Sequence, residues 1–165
     1  MMRLAIPATF VFLAVSTGAM ANPAKPLGQF KNWNASSYAS GNSQRCYISS
    51  NPIAEKPAEL RHGDVYFFVQ SGESAGRTES SFQTGYDFAK NSTVEVTIGD
   101  ERFRMLTAGR NAWLQRVERE GELFAAMKAG DEMVLAARSA RGNETSYTFS
   151  LDGVTAASRQ LQQCS

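Results

Sequence analysis

The alternation of apolar and polar residues predicts a chain built mainly from β-strands. Residues 93–98 are the clearest case, because Val94, Val96 and Ile98 fall on one face and polar residues on the other. Residues 64–70 contain a continuous apolar run from Val65 to Val69, which is typical of a strand that is buried on both faces. Further strands are predicted over residues 44–50, 78–88, 102–106, 131–138 and 146–151, with Gly99-Asp100 as a hairpin turn and residues 51–63 as a loop.

Two segments follow a helical pattern instead. Residues 118–129 place Leu123, Phe124 and Met127 on one stripe, and Gly130 follows as a predicted C-terminal cap. A last helix begins near residues 152–153, and its apolar side chains fall within about an 80° arc: Val154, Ala157, Leu161 and Cys164. Seven or eight strands with two short helices, one of them at the C-terminus, predict a β-sandwich.

The N-terminus has the pattern of a secretory signal peptide. A positive start at Arg3, an apolar run over residues 4–15 and the small residues Ala19 and Ala21 predict cleavage after residue 21. A membrane anchor is the alternative, but the run is shorter than the roughly 20 residues that a span needs. Residues 22–28 are predicted as an extended leader and residues 29–165 as a single domain.

Composition and charge narrow the possible partners. The chain has 165 residues, of which 42% are hydrophobic, and 17 basic residues stand against 16 acidic ones. Bulk charge therefore supports binding neither to nucleic acid nor to an anionic membrane. Without the predicted signal peptide, no stable membrane insertion is expected.

The predicted export bears on the redox state of the two cysteines. In an oxidising compartment, Cys46 and Cys164 are most simply interpreted as one disulfide, and the phase of the last helix turns Cys164 toward the sheet. The alternative, a redox-active or nucleophilic thiol, has little support, because no C-x-x-C motif or nearby histidine is present.

Several short motifs resemble the invasion-associated locus B family of exported bacterial proteins. They occur in the family's order over nearly the whole predicted mature chain: G-Y-D-F at 85–88, T-I-G-D-E-R-F at 97–103, N-A-W at 111–113, A-M-K-A-G at 126–130, S-A-R-G at 139–142 and Y-T-F-S-L-D-G-V at 147–154. Trp33 and the strand around Cys46 are similar to the family's opening segment. The resemblance implies an immunoglobulin-like β-sandwich, export to the periplasm or beyond, and a Cys46–Cys164 bridge, but no reaction.

Catalytic residues were sought directly. His62 is the only histidine, and Asp64 could pair with it on one strand face. No nucleophile motif accompanies them, so the pattern is more typical of a histidine at the surface or in a turn. No metal site is predicted, since Asp131 and Glu132 would point to opposite faces of a strand, and no cofactor is expected.

Two features are candidate binding determinants. Arg138 and Arg141 lie at a predicted strand end beside Gly142, where a carboxylate or phosphate could dock; the alternative is a solvated hairpin tip. Trp113 could be an exposed anchor for a glycan or a protein; the alternative is core packing.

The sequence predicts a periplasmic or secreted, non-enzymatic binding or envelope-associated factor whose partner is an unknown envelope or extracellular protein or glycan. A role in host interaction would be in line with the family's name. Two alternatives belong to other classes of function. One is a small cell-envelope hydrolase or transferase that uses His62, and the other is a periplasmic inhibitor of a foreign enzyme such as lysozyme.

Overall fold

A computed structural model describes residues 23–72 and 76–164. The predicted signal peptide lies outside the described residues. Within the two described ranges, no helix is both long enough and apolar enough to cross a membrane.

The strands form one antiparallel sheet. Its members are β1 (Lys25–Phe30), β2 (Trp33–Ser40), β3 (Ser43–Ser50), β4 (Ala54–Lys56), β5 (Tyr66–Ser71), β6 (Thr78–Gln83), β7 (Thr93–Ile98), β8 (Glu101–Ala108), β9 (Asn111–Leu114), β10 (Glu132–Arg138) and β11 (Glu144–Ser150). The eleven strands are ordered β1-β2-β3-β5-β6-β9-β8-β7-β10-β11-β4. Gly99 and Asp100 form the β7–β8 turn, as predicted.

The sheet folds over so that its two halves share one core. Phe67 of β5 and Phe82 of β6 both contact Phe149 of β11, with ring centroids 6.0 and 6.2 Å apart. At one edge of this core, the buried Trp33 donates its indole Nε1–H to the carbonyl of Ser150 at 3.0 Å. The predicted mainly β fold with two short helices is confirmed, and its layered core agrees with an immunoglobulin-like sandwich.

Four strands, β1, β2, β4 and the four-residue β9, lie where the sequence predicted no strand. Residues 25–28 of the predicted leader belong to β1, which pairs with β2, so the leader prediction is wrong for these residues. The inward positions of strand β2 carry Trp33, Ala35 and Ser37, and the buried serine interrupts its apolar period. Strand β4 occupies only three residues of the predicted loop 51–63, because its pairing with β11 rather than its own side chains makes it a strand.

The helices are shorter than predicted. Helix α1 (Glu120–Ala129) follows a 3₁₀ turn over Val117–Arg119, and it buries Leu123 and Met127. Gly130 is the C-cap, but its φ of −91° is not left-handed. A Cβ at this position would lie 2.6 Å from Ile98 Cγ2, so the position needs glycine for space rather than for backbone conformation.

The C-terminal segment joins the last helix to the sheet through a disulfide. Helix α2 (Val154–Ser158) continues as a 3₁₀ helix over Arg159–Cys164. Cys164 is bonded to Cys46 of β3, which is fully buried, with Cα atoms 5.4 Å apart. The predicted pairing is confirmed, and the loop that this disulfide closes contains most of the described residues.

Candidate functional site

A cleft of about 580 Å³ opens at one end of the sheet, where several loops meet. The loop between β4 and β5, the segment after β6 and the turns of the β8–β9 and β10–β11 hairpins form its walls. Five charged residues line it: Glu59, Arg61, Asp87, Arg110 and Arg141. Polar groups are added by Tyr86, Ser139 and Asn143.

The segment after β6 is fixed at the base of this cleft by backbone hydrogen bonds. The N–H of Thr84 donates to the carbonyl of Arg110 at 3.0 Å, and the N–H of Ala140 donates to the carbonyl of Asp87 at 2.8 Å. The Thr84 hydroxyl also donates to the Tyr86 carbonyl at 2.8 Å, which turns the chain. This turn ends β6 at Gln83, so the prediction of a strand through residue 88 is wrong.

Two glycines allow the cleft loops to touch. A Cβ on Gly85 would lie 2.5 Å from the carbonyl oxygen of His62 and 2.6 Å from the Cα of Gly63. Gly63 itself has a φ of +69°, a conformation that favours glycine. The absence of side chains at these two positions therefore brings His62 and Tyr86 to the same wall.

The sequence indicated a histidine at the surface or in a turn. His62 does lie in the loop between β4 and β5, but it is buried, and 5% of it is exposed. Its Nε2 lies 2.9 Å from the carbonyl oxygen of Pro57, which can only accept, so Nε2 carries a hydrogen. Its Nδ1 lies 2.8 Å from the hydroxyl of Tyr147. Asp64 is exposed and makes no hydrogen bond or ion pair within the described part of the chain, so it does not form the acid–base pair with His62 that the sequence left as an alternative.

A chain of hydroxyl groups extends from His62 to the cleft. The Tyr147 and Tyr86 hydroxyl oxygens lie 2.9 Å apart, and the Tyr86 oxygen lies 2.6 Å from Oγ1 of Thr145. Burial raises the pKa of both Tyr86 and Tyr147 above the ordinary value. For Tyr147, the contact with the Tyr86 hydroxyl raises the pKa further. Both phenols are therefore neutral hydrogen-bonding groups rather than charged ones.

The structure separates the two arginines that the sequence placed together. Arg138 points outward on β10, where its Nε lies 3.1 Å from a carboxylate oxygen of Glu144, and it does not line the cleft. Arg141 lies at the hairpin tip and does line it, together with Arg61 from the β4–β5 loop. Neither Arg61 nor Arg141 has an ion-pair partner among the described residues, whereas Arg110 lies 3.7 Å from Asp87.

Trp113 does not line the cleft. It is on β9, directly opposite Leu106 of β8, and 40% of it is exposed. The core-packing interpretation of Trp113 is therefore wrong. Because strand side chains alternate, Ala112 and Leu114 are the buried residues of this strand, while Trp113 faces outward.

Glu120 is a buried carboxyl group that sequence reasoning did not single out. One carboxylate oxygen accepts from the backbone N–H of Ser80 at 3.1 Å, and the other accepts from the Ser80 hydroxyl at 2.8 Å. Burial raises the pKa of Glu120, and the Ser80 hydrogen bonds oppose this shift. The residue fixes the start of α1 to β6. An acidic residue in the first turn of a helix is too common to signal burial.

Replacing Glu120 by glutamine is expected to remove part of the pH dependence of stability. A raised pKa means that the folded state binds this proton more tightly than the unfolded chain does. The contribution of Glu120 is thus most favourable below the ordinary carboxyl pKa and declines as the pH rises through the raised value. Urea unfolding between roughly pH 4 and pH 7 should show a smaller decline for Glu120→Gln than for the wild type. The exposed Glu122, replaced by glutamine, is the matched control.

No metal-binding group was found in the two described ranges, where no cluster of three or more His, Cys, Asp or Glu side chains is suitably placed.

Comparison with known proteins identifies a family and a fold. Residues 33–162 match the family described as Invasion associated locus B (IalB) protein. This chain is similar to the crystal structure of invasion associated protein b from Bartonella henselae, with a TM-score of 0.61. The match covers 81% of this chain and 92% of the Bartonella chain. The sequences are 13% identical over this match, so the likeness concerns the fold. No curated protein matches the sequence.

Proposed function

Since this chain belongs to the invasion associated locus B family, we propose that it is an exported, non-enzymatic binding factor whose ligand occupies the cleft at the end of the sheet. The observation that carries the proposal is the pair Arg61 and Arg141. Both line a cleft large enough for a small ligand, and both lack an ion-pair partner among the described residues. Guanidinium groups that are free of protein carboxylates can bind a carboxylate or phosphate through paired N–H donors.

The surroundings of His62 favour binding over catalysis. A general base needs a ring nitrogen that can reach substrate. Here one nitrogen is held by the Pro57 carbonyl and the other by the Tyr147 hydroxyl, and the ring is buried. His62 thus supports the cleft wall, and this weighs against a hydrolase or transferase that uses His62.

Export is supported by two features. The Cys46–Cys164 disulfide fits an extracytoplasmic protein, because such bonds persist in oxidising compartments. The N-terminal signal-peptide pattern points the same way. A periplasmic or secreted protein with an anion-binding cleft would meet carboxylate-bearing or phosphate-bearing glycans and peptides of the envelope, or ligands of a host.

Removing both unpaired cleft arginines is expected to weaken ligand binding by roughly 10–100-fold, because each charge-assisted hydrogen bond contributes about 1.5–3 kcal/mol and solvent screening reduces this in an open cleft. Isothermal calorimetry of wild type and Arg61→Ala/Arg141→Ala against soluble muropeptides, which carry carboxylates, and against inorganic phosphate measures the difference.

Lys90→Ala/Arg159→Ala is the matched control, since it removes two exposed cations that have no ion-pair partner among the described residues and do not line the cleft. Equal affinity of the wild type and the cleft variant would contradict the proposed site. Hydrolysis of the muropeptide by the wild type would contradict the non-enzymatic proposal.

A further inference from the structure

A second cationic site lies at the opposite end of the β8–β9 hairpin. It is a notch of about 280 Å³, lined by Arg102, Arg104, Arg116 and Arg119 with a single carboxylate, that of Glu95. We call it the arginine notch. Arg104 and Arg110 are six residues apart along the hairpin, so the notch and the cleft are separated by roughly 20 Å at the rise of a β-strand.

Two of its arginines are held in place by neighbours. Arg119 lies with its guanidinium 4.4 Å from the centre of the Phe103 ring, and it also donates to a Glu122 carboxylate oxygen at 2.7 Å. Its Nη1 donates to the carbonyl of Arg102 at 3.1 Å. Arg102 in turn donates to Glu95 at 2.9 Å. These contacts build a fixed cationic wall.

The other two arginines are available to a partner. Arg104 and Arg116 are exposed and have no ion-pair partner in the described ranges. Glu118, in the same turn as Arg119, does not line the notch. With Arg102 paired to Glu95 and Arg119 paired to Glu122, Arg104 and Arg116 leave an excess of two positive charges at the notch, in a chain whose overall charge is close to zero. The complementary partner is therefore anionic.

Apolar side chains beside the notch indicate that the anion belongs to an amphiphile. Leu106 follows Arg104 on the same outward face of β8 and is 49% exposed, and Trp113 lies directly opposite it. Val117, next to Arg116, is 67% exposed. Three of the four exposed large hydrophobic residues in the described part of the chain thus border the arginines.

We propose that this face docks on an anionic lipid surface. The arginine notch receives lipid phosphates, while Trp113, Leu106 and Val117 enter the boundary between headgroups and acyl chains. Tryptophan and basic side chains are the residues that favour this boundary. A free phosphate would need the arginines but would leave the neighbouring apolar side chains in water. Binding is peripheral, at the edge of the bilayer, and is independent of the cleft.

Vesicle binding tests the proposal on residues 22–165, which contain every described strand and helix and the disulfide. The predicted signal peptide is left out because its apolar run over residues 4–15 would itself bind lipid. Vesicles of phosphatidylcholine are compared with vesicles that also contain phosphatidylglycerol, and inorganic phosphate is a soluble competitor. Trp113 is a built-in probe, because the other tryptophan, Trp33, is fully buried. Its emission should shift to shorter wavelength only with the anionic vesicles.

Two variants assign the binding to the notch. Arg104→Ala/Arg116→Ala should lower the vesicle partition coefficient by roughly 30-fold, since each basic residue at an anionic surface strengthens binding about fivefold. Leu106→Ser should lower it as well, and Lys90→Ala/Arg159→Ala is the charge-matched control. The proposal is overturned if anionic vesicles do not bind, if both charge variants lose binding equally, or if phosphate binds at the notch while vesicles do not.

Discussion

Cys164→Ser is expected to lower the free energy of unfolding by about 4–5 kcal/mol, the largest effect that we predict for a single substitution. The bridge joins residues 118 positions apart, and closing so long a loop removes much of the conformational entropy of the unfolded chain. It also holds the C-terminal 3₁₀ helix against β3. Urea denaturation of oxidised wild type and variant, monitored by circular dichroism, measures the loss.

The same substitution leaves Cys46 as a thiol in the core, where it is fully buried. The double variant Cys46→Ala/Cys164→Ser separates loss of the bridge from any effect of that thiol, and it should be destabilised to a similar degree. Labelling of both thiols in native, unreduced wild type would contradict the bridge itself.

His62→Ala is expected to lower the free energy of unfolding by about 3 kcal/mol, because it empties the volume of a buried ring and removes the hydrogen bonds to Pro57 and Tyr147. On the interpretation that His62 is a surface residue, the same change would have little effect. Chemical denaturation distinguishes the two.

Asp64→Ala is the matched control for His62. The Asp64 side chain is exposed and makes no hydrogen bond or ion pair within the described ranges, so its loss should change stability by less than about 0.5 kcal/mol. If Asp64 positioned His62, as adjacency in sequence suggested, the two variants would be destabilised together. Such coupling would reopen the question of a catalytic pair.

The sequence was most informative for strands of six or more residues with apolar side chains at alternate positions. Val94, Val96 and Ile98 are buried as their alternation predicts. The predicted Cys46–Cys164 bridge forms, although Cys164 lies in a 3₁₀ helix and not in the α-helix whose phase was used. Strand β2 was missed because Ser37 occupies a buried inward position, where its oxygen accepts from Gln44. An inward serine has no apolar signal, so the pattern alone cannot reveal such a strand.

The cleft could be predicted only in part, because its residues come from loops that are distant in sequence. Arg141 was identified as a binding candidate, but the other arginine without an ion-pair partner that lines the cleft is Arg61, not Arg138. The alternation of β10 turns Arg138 toward Glu144, and the hairpin tip carries Arg141 elsewhere. No local pattern links Arg61 to Arg141, since the pairing of β4 with β11 brings their loops together.

Histidine burial was missed for a related reason. His62 lies between Arg61 and Gly63, in a stretch whose composition is typical of a loop. It is buried because Gly85 allows the two loops to approach and because Tyr147, from a distant strand, offers a hydroxyl to the ring. Both causes are tertiary, and neither leaves a local signal.

The cleft and the arginine notch would have separate binding roles at the two ends of the β8–β9 hairpin. At one end, Arg61 and Arg141 would bind an anionic group of a soluble ligand, while at the other the notch would hold the protein at a lipid surface. The two proposals are independent, because no residue lines both sites. Loss of vesicle binding would leave the cleft proposal intact, and the converse also holds.

The most direct test of the central claim, that this is a binding protein which uses the cleft, is an amide NMR titration with soluble muropeptides in which the same sample reports the fate of the ligand. Saturable shifts should concentrate at residues 61–63, 85–87 and 139–143, and the muropeptide should remain intact. Shifts confined to other faces of the sheet, no shifts at all, or turnover that His62→Ala abolishes would contradict the account.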